Sequence, residues 1–227
     1  MIKDPPVLRI RRRFTRPPAG VLEAFAGAQT GHVVDAMGGK GALPARIKPL
    51  LEAGTTVGVA VTSHSRPGDN LGLFASLDVI RPGDVLVAAS DAFLETAITG
   101  DLLVGMAKNL GAVGLVTDGA VRDTAGILST RLPVYCAGVT PNSPSRNGPG
   151  EVGRPIVIGS VAVRSGDIVV ADADGVVIVP QDEAEAVIEA LQAVRQAESA
   201  LEAKVRSGQG VPDFLQAVLK SPRTVEE

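Results

Sequence analysis

Hydrophobic and polar positions along this chain follow two different rhythms, and the change between them marks its organisation. In the first half, apolar runs at strand period alternate with stretches at helical spacing. A short helix is predicted over Val21 to Ala28, and a second begins near Thr30. The Thr30 hydroxyl is expected to cap the turn leading into Val33, Val34 and Met37, and Gly38-Gly39 ends the helix. Thr55 to Ser63 reads as a strand, with Gly58 where another backbone passes close. His64 is expected in the following loop, SHSRPGDN, as a hydrogen-bonded loop residue. A helix from Leu71 to Val79, the turn Arg81-Pro82-Gly83-Asp84 and the strand Val85 to Ala89 complete an alternation that predicts an α/β layer.

From Leu132 onward the pattern turns to short β runs: LPVYCAGV, PIVIGSVAV, DIVVAD and GVVIVP. The last two join through Ala173, Asp174 and Gly175, a hairpin signal. Thr140 to Arg154 is too rich in Pro, Gly, Asn and Ser for regular structure, and is expected to be an ordered loop over one end of the sheet. A long helix follows from Asp182 to Arg206, with an apolar stripe of Val187, Leu191, Val194, Leu201 and Val205. Glu198 occupies the position that would complete the stripe. A carboxylate there is costly to bury unless paired, so it marks either a gap in the packing or a site. Phe214, Leu215, Val218 and Leu219 predict a short docking helix.

Between the halves lies Gly100 to Asp123, GDLLVGMAKNLGAVGLVTDGAVRD, around which the chemistry gathers. It reads as helix, strand and loop. Asp101 is placed to cap the helix, leaving the amides of Leu102, Leu103 and Val104 to meet an anion at the positive helix end. The loop then delivers Arg122 and Asp123 side by side.

Composition narrows the options. With 227 residues, 45% of them apolar, the chain can bury a core without disulfides or metal. A net charge of −3 gives no reason to expect nucleic acid. The basic cluster Arg9, Arg11, Arg12 and Arg13 reads as a solvated edge strand within a proline-containing arm, residues 1–20, that reaches a neighbour. Residues 21–185 then form the core domain and 186–227 a helical extension between subunits. Cys136 is the single cysteine, read as a buried apolar thiol. No long apolar span is present, and a cytoplasmic protein without membrane contact is expected.

Two histidines and one cysteine, none in a nucleophile-elbow context, exclude a Ser or Cys triad and a multi-histidine zinc site. No GxGxxG or Walker loop follows a strand. Oxygen ligation remains: Asp101, Asp123, Glu198 and Glu202 are candidates to hold a hard cation, and Arg122 is a fixed charge for a carboxylate or a developing enolate.

Gly100-Asp101-Leu102-Leu103, Gly119-Ala120-Val121-Arg122-Asp123, Asn147-Gly148-Pro149-Gly150 and the run from Gly166-Asp167 through Ala171 to Val177 carry a resemblance. From Thr30 to Pro180 the chain resembles the family of 4-hydroxy-4-methyl-2-oxoglutarate/4-carboxy-4-hydroxy-2-oxoadipate aldolases and the regulator of ribonuclease activity A. The resemblance implies a swivelling β/β/α sandwich with a C-terminal helix, assembled as trimers or hexamers with sites between subunits. It further implies a pyruvate aldolase using Mg²⁺ or Mn²⁺ on a small 2-oxo acid, with oxaloacetate decarboxylation as a side activity. Under it Asp123 matches the metal ligand, Arg122 contacts the keto and enolate oxygen, and Asp101 stands near the metal waters. The amides of Leu102 and Leu103 would hold the pyruvyl carboxylate. Glu198 matches a glutamate contributed by a neighbouring subunit; the aldolase pattern has a histidine next, where this chain has Ser199. The groups that bind the ligand's distal end are expected from loops such as Thr140 to Arg154. A protein-binding regulator is the non-enzymatic alternative.

Overall fold

A computed structural model describes residues 7–50 and 54–225. Its organising strand is β3 (Thr56–Ser65), long enough to serve two partners on one edge. β13 (Ile168–Ala171) pairs antiparallel with its first half, and β10 (Gly150–Val152) with its last residues. Along the other edge run the parallel strands β4 (Asp84–Ala89), β6 (Gly114–Thr117) and β8 (Val134–Cys136), closed by antiparallel β2 (Lys48–Pro49). β1 (Leu8–Ile10) lies parallel to β10, and β14 (Val176–Val179) forms the predicted hairpin with β13. Gly58 lets β3 and β4 meet: a Cβ there would sit 2.6 Å from the Gly83 carbonyl.

Strand alternation sorts side chains into layers. Leu86 and Ala88 of β4 face α3 (Leu71–Ser76), α4 (Asp101–Asn109) and α5 (Thr124–Thr130), whose Leu73, Leu103, Val104 and Ile127 fill that side. Val85 and Val87 face a β layer made by β13, β14 and the hairpin of β11 (Ile156–Ile158) with β12 (Val161–Val163). On the outer face of β13 and β14, Val170 and Val177 bury Phe25, Val33, Val187 and Leu191 from α1 (Ala19–Ala24), α2 (Thr30–Ala36) and α6 (Ala184–Arg206) and their flanks. Each such large side chain, fully buried, is worth about 1.5–3 kcal/mol. The result is the β/β/α layering expected, with helices added outside it.

Several local expectations change. His64 lies inside β3, opposite Ala89 of β4, rather than in a loop, because the Ser-His-Ser end of the strand is paired on both edges. Thr30 does not cap α2; Gln29 holds that position, and Thr30 donates its backbone N–H and hydroxyl to Asp172, each at 2.8 Å. Within the Pro- and Gly-rich stretch 140–154, Gly150–Val152 is a strand, ordered by a distant partner that no local pattern reveals. The basic arm runs on its own chain: Arg12 pairs with Asp78 and Arg16 with buried Asp84, while Ile10 and Phe14 pack on the core. Pro5 and Pro6 of the arm lie outside the described residues. At the other end, α6 is buried through Val187 and Leu191, but Leu201 and Val205 are exposed, as is α7 (Asp213–Leu219), where Phe214 is 71% exposed.

Candidate active site

A second, three-stranded parallel sheet carries the site: β5 (Ala97–Thr99), β7 (Ala120–Val121) and β9 (Gly138–Val139). β5 runs into Gly100 and α4, and β7 runs into Arg122 and Asp123 at the start of α5. Because the strands are parallel neighbours, the two loops emerge on the same edge, tied by the Arg122 amide donating to the Thr99 carbonyl at 3.0 Å. A cleft of about 220 Å³ opens there. It is lined by Asp101, Leu102, Leu103, Arg122 and Asp123, so the structure brings these five candidates together, without Glu198 or Glu202.

Asp123 takes a left-handed backbone conformation, φ 58°, at the helix cap, a strain of order 1 kcal/mol that aspartate tolerates better than most residues. The turn aims its carboxylate out of α5 toward the cleft. Arg122 Nε donates to Asp123 Oδ2 at 2.7 Å, and its guanidinium also donates to the Ser143 hydroxyl. The cation is thereby held by two acceptors. Gly100 is what allows the approach: a Cβ there would stand 2.6 Å from Asp123 Oδ2.

The start of α4 differs from expectation. Gly100 is the cap, and Asp101 is the first helical residue. Val104 N–H closes on the Gly100 carbonyl, and Leu102 N–H is taken by Asp101 Oδ1 at 2.8 Å. The Leu102 amide therefore already holds a carboxylate oxygen, while the Leu103 amide is a further first-turn donor. The other Asp101 oxygen rests against the Gly126 position of α5, where any side chain would displace it. Glu198 does not line the cleft; it lies on the exposed half of α6.

Asn70, Phe74, Ser143 and Arg146 are among the residues that complete the walls. Their positions depend on Asp69, which is buried and accepts from the amides of Leu71, Asn147 and Gly148 and the hydroxyl of Ser145, at 2.7–3.0 Å. Burial alone would raise its pKa, but these donors together outweigh it and hold the carboxyl below the ordinary value. Asp69 thus pins the loop carrying Ser143 and Arg146 over the cleft. Arg146 lies 4.8 Å above the Phe74 ring. Asn70 is 3% exposed and donates Nδ2–H to the Ile98 carbonyl, leaving its buried Oδ1 without a protein donor. Such an acceptor fits a hydroxyl or water in the cleft. The sequence signalled the loop by composition, but not which of its residues reach the site.

Among the described residues no three His, Cys, Asp or Glu side chains gather as a metal cage. Asp101 and Asp123 are the cleft's carboxylates. A hard cation that keeps several waters and takes one or two carboxylates fits that donor set.

Residues 30–178 match the family model described as RraA-like, Aldolase/RraA. The chain belongs to this family. The RraA-like match spans the cleft and the central sheet apart from β1 and the last residue of β14. A Halalkalibacterium halodurans protein named "Putative 4-hydroxy-4-methyl-2-oxoglutarate aldolase" is 38% identical over 168 residues, 74% of this chain and 80% of that protein. Among solved RraA-like structures, Streptomyces coelicolor RraAS2, described as an unusual member of the RNase ES inhibitor RraA family, superimposes with a TM-score of 0.73. It is 28% identical, covering 83% of this chain and all of that one. The RNA-processing inhibitor RraA from Thermus thermophilis matches at 0.62, with 29% identity over 67% of this chain and 93% of that one. The RraA-like fold therefore hosts both an aldolase name and regulators of RNA processing, and the site decides between them. No helix among the described residues is long and apolar enough to cross a membrane.

Proposed function

We propose that the cleft is the site of a divalent-metal-dependent pyruvate aldolase. Its substrate is a small 4-hydroxy-2-oxo acid such as 4-hydroxy-4-methyl-2-oxoglutarate or 4-carboxy-4-hydroxy-2-oxoadipate. One observation carries the reading: Arg122 is fixed by Asp123 and Ser143 beside the amino end of α4, so a cation and amide donors face one small cleft. That is an arrangement for an oxyanion next to a carboxylate, the two charges of a pyruvate enolate. The aldolase name of the H. halodurans relative supports the same chemistry.

In this reading the first-turn amides of Leu102 and Leu103 receive the pyruvyl carboxylate, which takes the place of Asp101 Oδ1 on the Leu102 amide. Arg122 stabilises the 2-oxo oxygen as negative charge grows on it. Asp101, released from Leu102, orients a water that removes the proton from the 4-hydroxyl. The C3–C4 bond then breaks, its electron pair passes into the enolate, and a second carbonyl product departs. Protonation at C3 gives pyruvate. Asp123 is the residue to hold Mg²⁺ or Mn²⁺, which would supply Lewis-acid polarisation of the 2-oxo group. Loss of CO₂ from oxaloacetate leads to the same enolate.

Glu198 enters this scheme from a second copy of the chain, in a trimer or hexamer. The exposed apolar positions Leu201 and Val205 on the same helix, and Phe214 on α7, support a helical extension that lies on a neighbour. The test is a coupled assay of pyruvate release from 4-carboxy-4-hydroxy-2-oxoadipate and oxaloacetate, with EDTA and then with added Mg²⁺ or Mn²⁺. Metal-restored release from the hydroxy acid supports the aldolase; silence on both substrates favours a protein-binding regulator.

A further inference from the structure

We propose that Arg146, stacked on Phe74, is the specificity residue for the far end of the substrate, and that it selects 2-oxo acids bearing a second carboxylate. The inference rests on the aldolase reading and adds the residue that would distinguish anionic from neutral tails. The cleft holds two arginines in different electrostatic states. Arg122 is paired with Asp123 and serves the 2-oxo end of the cleft. Arg146 lines the same cleft, yet none of the ion pairs among the described residues includes it.

Its position is nevertheless defined. The guanidinium carbon lies over the Phe74 ring, 4.8 Å from its centre, in a cation–π contact. Its N–H donors, engaged in none of those ion pairs, match a carboxylate fork. Phe74 sits on α3, whose Leu73 is buried in the core. The loop is fixed at Ser145, Asn147 and Gly148 by buried Asp69, on both sides of Arg146. A surface arginine on a free loop has no such supports. A cation held over an aromatic platform, with no carboxylate of its own, facing the site that activates a 2-oxo acid, fits the distal carboxylate of that acid.

The test compares three probes on the Mg²⁺-loaded full chain. Deuterium exchange at the methyl group of pyruvate reports enolate formation without a distal group. 4-Hydroxy-4-methyl-2-oxoglutarate carries the distal carboxylate, and 4-hydroxy-2-oxopentanoate keeps its methyl and hydroxyl but has a hydrogen in place of that carboxylate. Arg146→Ala should raise KM for the dicarboxylate about tenfold or more, the weight of one lost charged hydrogen bond. Its pyruvate exchange should fall far less than its turnover of the dicarboxylate, and the wild-type preference for the dicarboxylate over the neutral-tailed acid should collapse. Arg146→Lys should recover part of the preference, and Phe74→Ala should lose part of it. An unchanged KM and preference in Arg146→Ala would overturn the proposal, as would an equal loss of pyruvate exchange, which would move Arg146 to the enolate end. No exchange by the wild type would instead overturn the aldolase reading, and the subsite with it.

Discussion

Gly100 offers the sharpest perturbation of the site, because Gly100→Ala changes no charge and removes no hydrogen-bonding group. Its backbone, at φ −141°, is one that alanine adopts freely, so no conformational strain is introduced. The new methyl would stand 2.6 Å from Asp123 Oδ2 and 3.2 Å from Arg122 Cγ. Ordinary contact begins at 3.4 Å, so the carboxylate must retreat by about 0.8 Å and draw Arg122 with it. A misplacement near 1 Å costs about 10²-fold in rate where reacting groups must align. Losing glycine at a helix cap costs only ~1 kcal/mol of stability. The variant should therefore fold, melt a few degrees below wild type, and release pyruvate some 10–100-fold more slowly with a higher Mg²⁺ requirement. Thermal melts and metal titrations of pyruvate release check both halves. A folded Gly100→Ala protein with wild-type rate and metal midpoint would refute the claim that Asp123 and Arg122 act through this packing.

Other outcomes follow from the same geometry. Asp69→Asn should cost about 1–3 kcal/mol, since amides facing Asp69 lose a buried acceptor, and should raise KM by loosening the Ser143–Gly148 loop; urea unfolding and kinetics read both. Asp69 and Asp172 titrate lower in the folded chain: burial opposes this, but their donors prevail. They therefore stabilise the fold above the ordinary carboxylate value, about pH 4, and that contribution is lost as pH falls below it. Asp167, raised by burial despite the amides of Arg164 and Gln181, works in the opposite sense and adds stability as pH falls through its folded value. Urea midpoints from pH 7 to 3 should thus fall steeply only below about 4, and less steeply in Asp69→Asn; an identical acid slope in the variant would contradict the assignment. Glu198→Ala should leave the melting temperature unchanged while lowering kcat. Mixing it with Asp123→Ala should restore activity in mixed oligomers if the glutamate serves a neighbour's site, and the absence of complementation would remove it from the mechanism.

What could be read from the chain alone was local. The Gly100–Asp123 stretch was legible because helix start, strand and Arg-Asp loop are consecutive, and parallel strands bring consecutive loops to one edge. The β13–β14 hairpin was legible for the same reason. Errors arose where a distant partner decides the outcome. His64 belongs to a strand because β4 and β10 flank it, and it meets Asp91 at 3.0 Å across the end of the sheet. Asp101 looks like a cap by residue type, yet the fold gives that position to Gly100, where only a glycine admits Asp123. Asp69 carries no signal of catalysis, but its four donors come from both sides of the cleft and set the wall. The seam argument for Glu198 assumed a buried stripe; within one chain the stripe is exposed from Leu201 onward, so its partner must come from elsewhere or not exist.

The central claim is that this cleft makes a pyruvate enolate, and it is tested most directly by deuterium exchange at the methyl group of pyruvate in D₂O, followed by proton NMR. The account predicts exchange with Mg²⁺ or Mn²⁺, its loss with EDTA, and a fall of at least about 10²-fold in Arg122→Ala. Exchange that persists without metal, that is unaffected by Arg122→Ala, or that never rises above the uncatalysed background would contradict it.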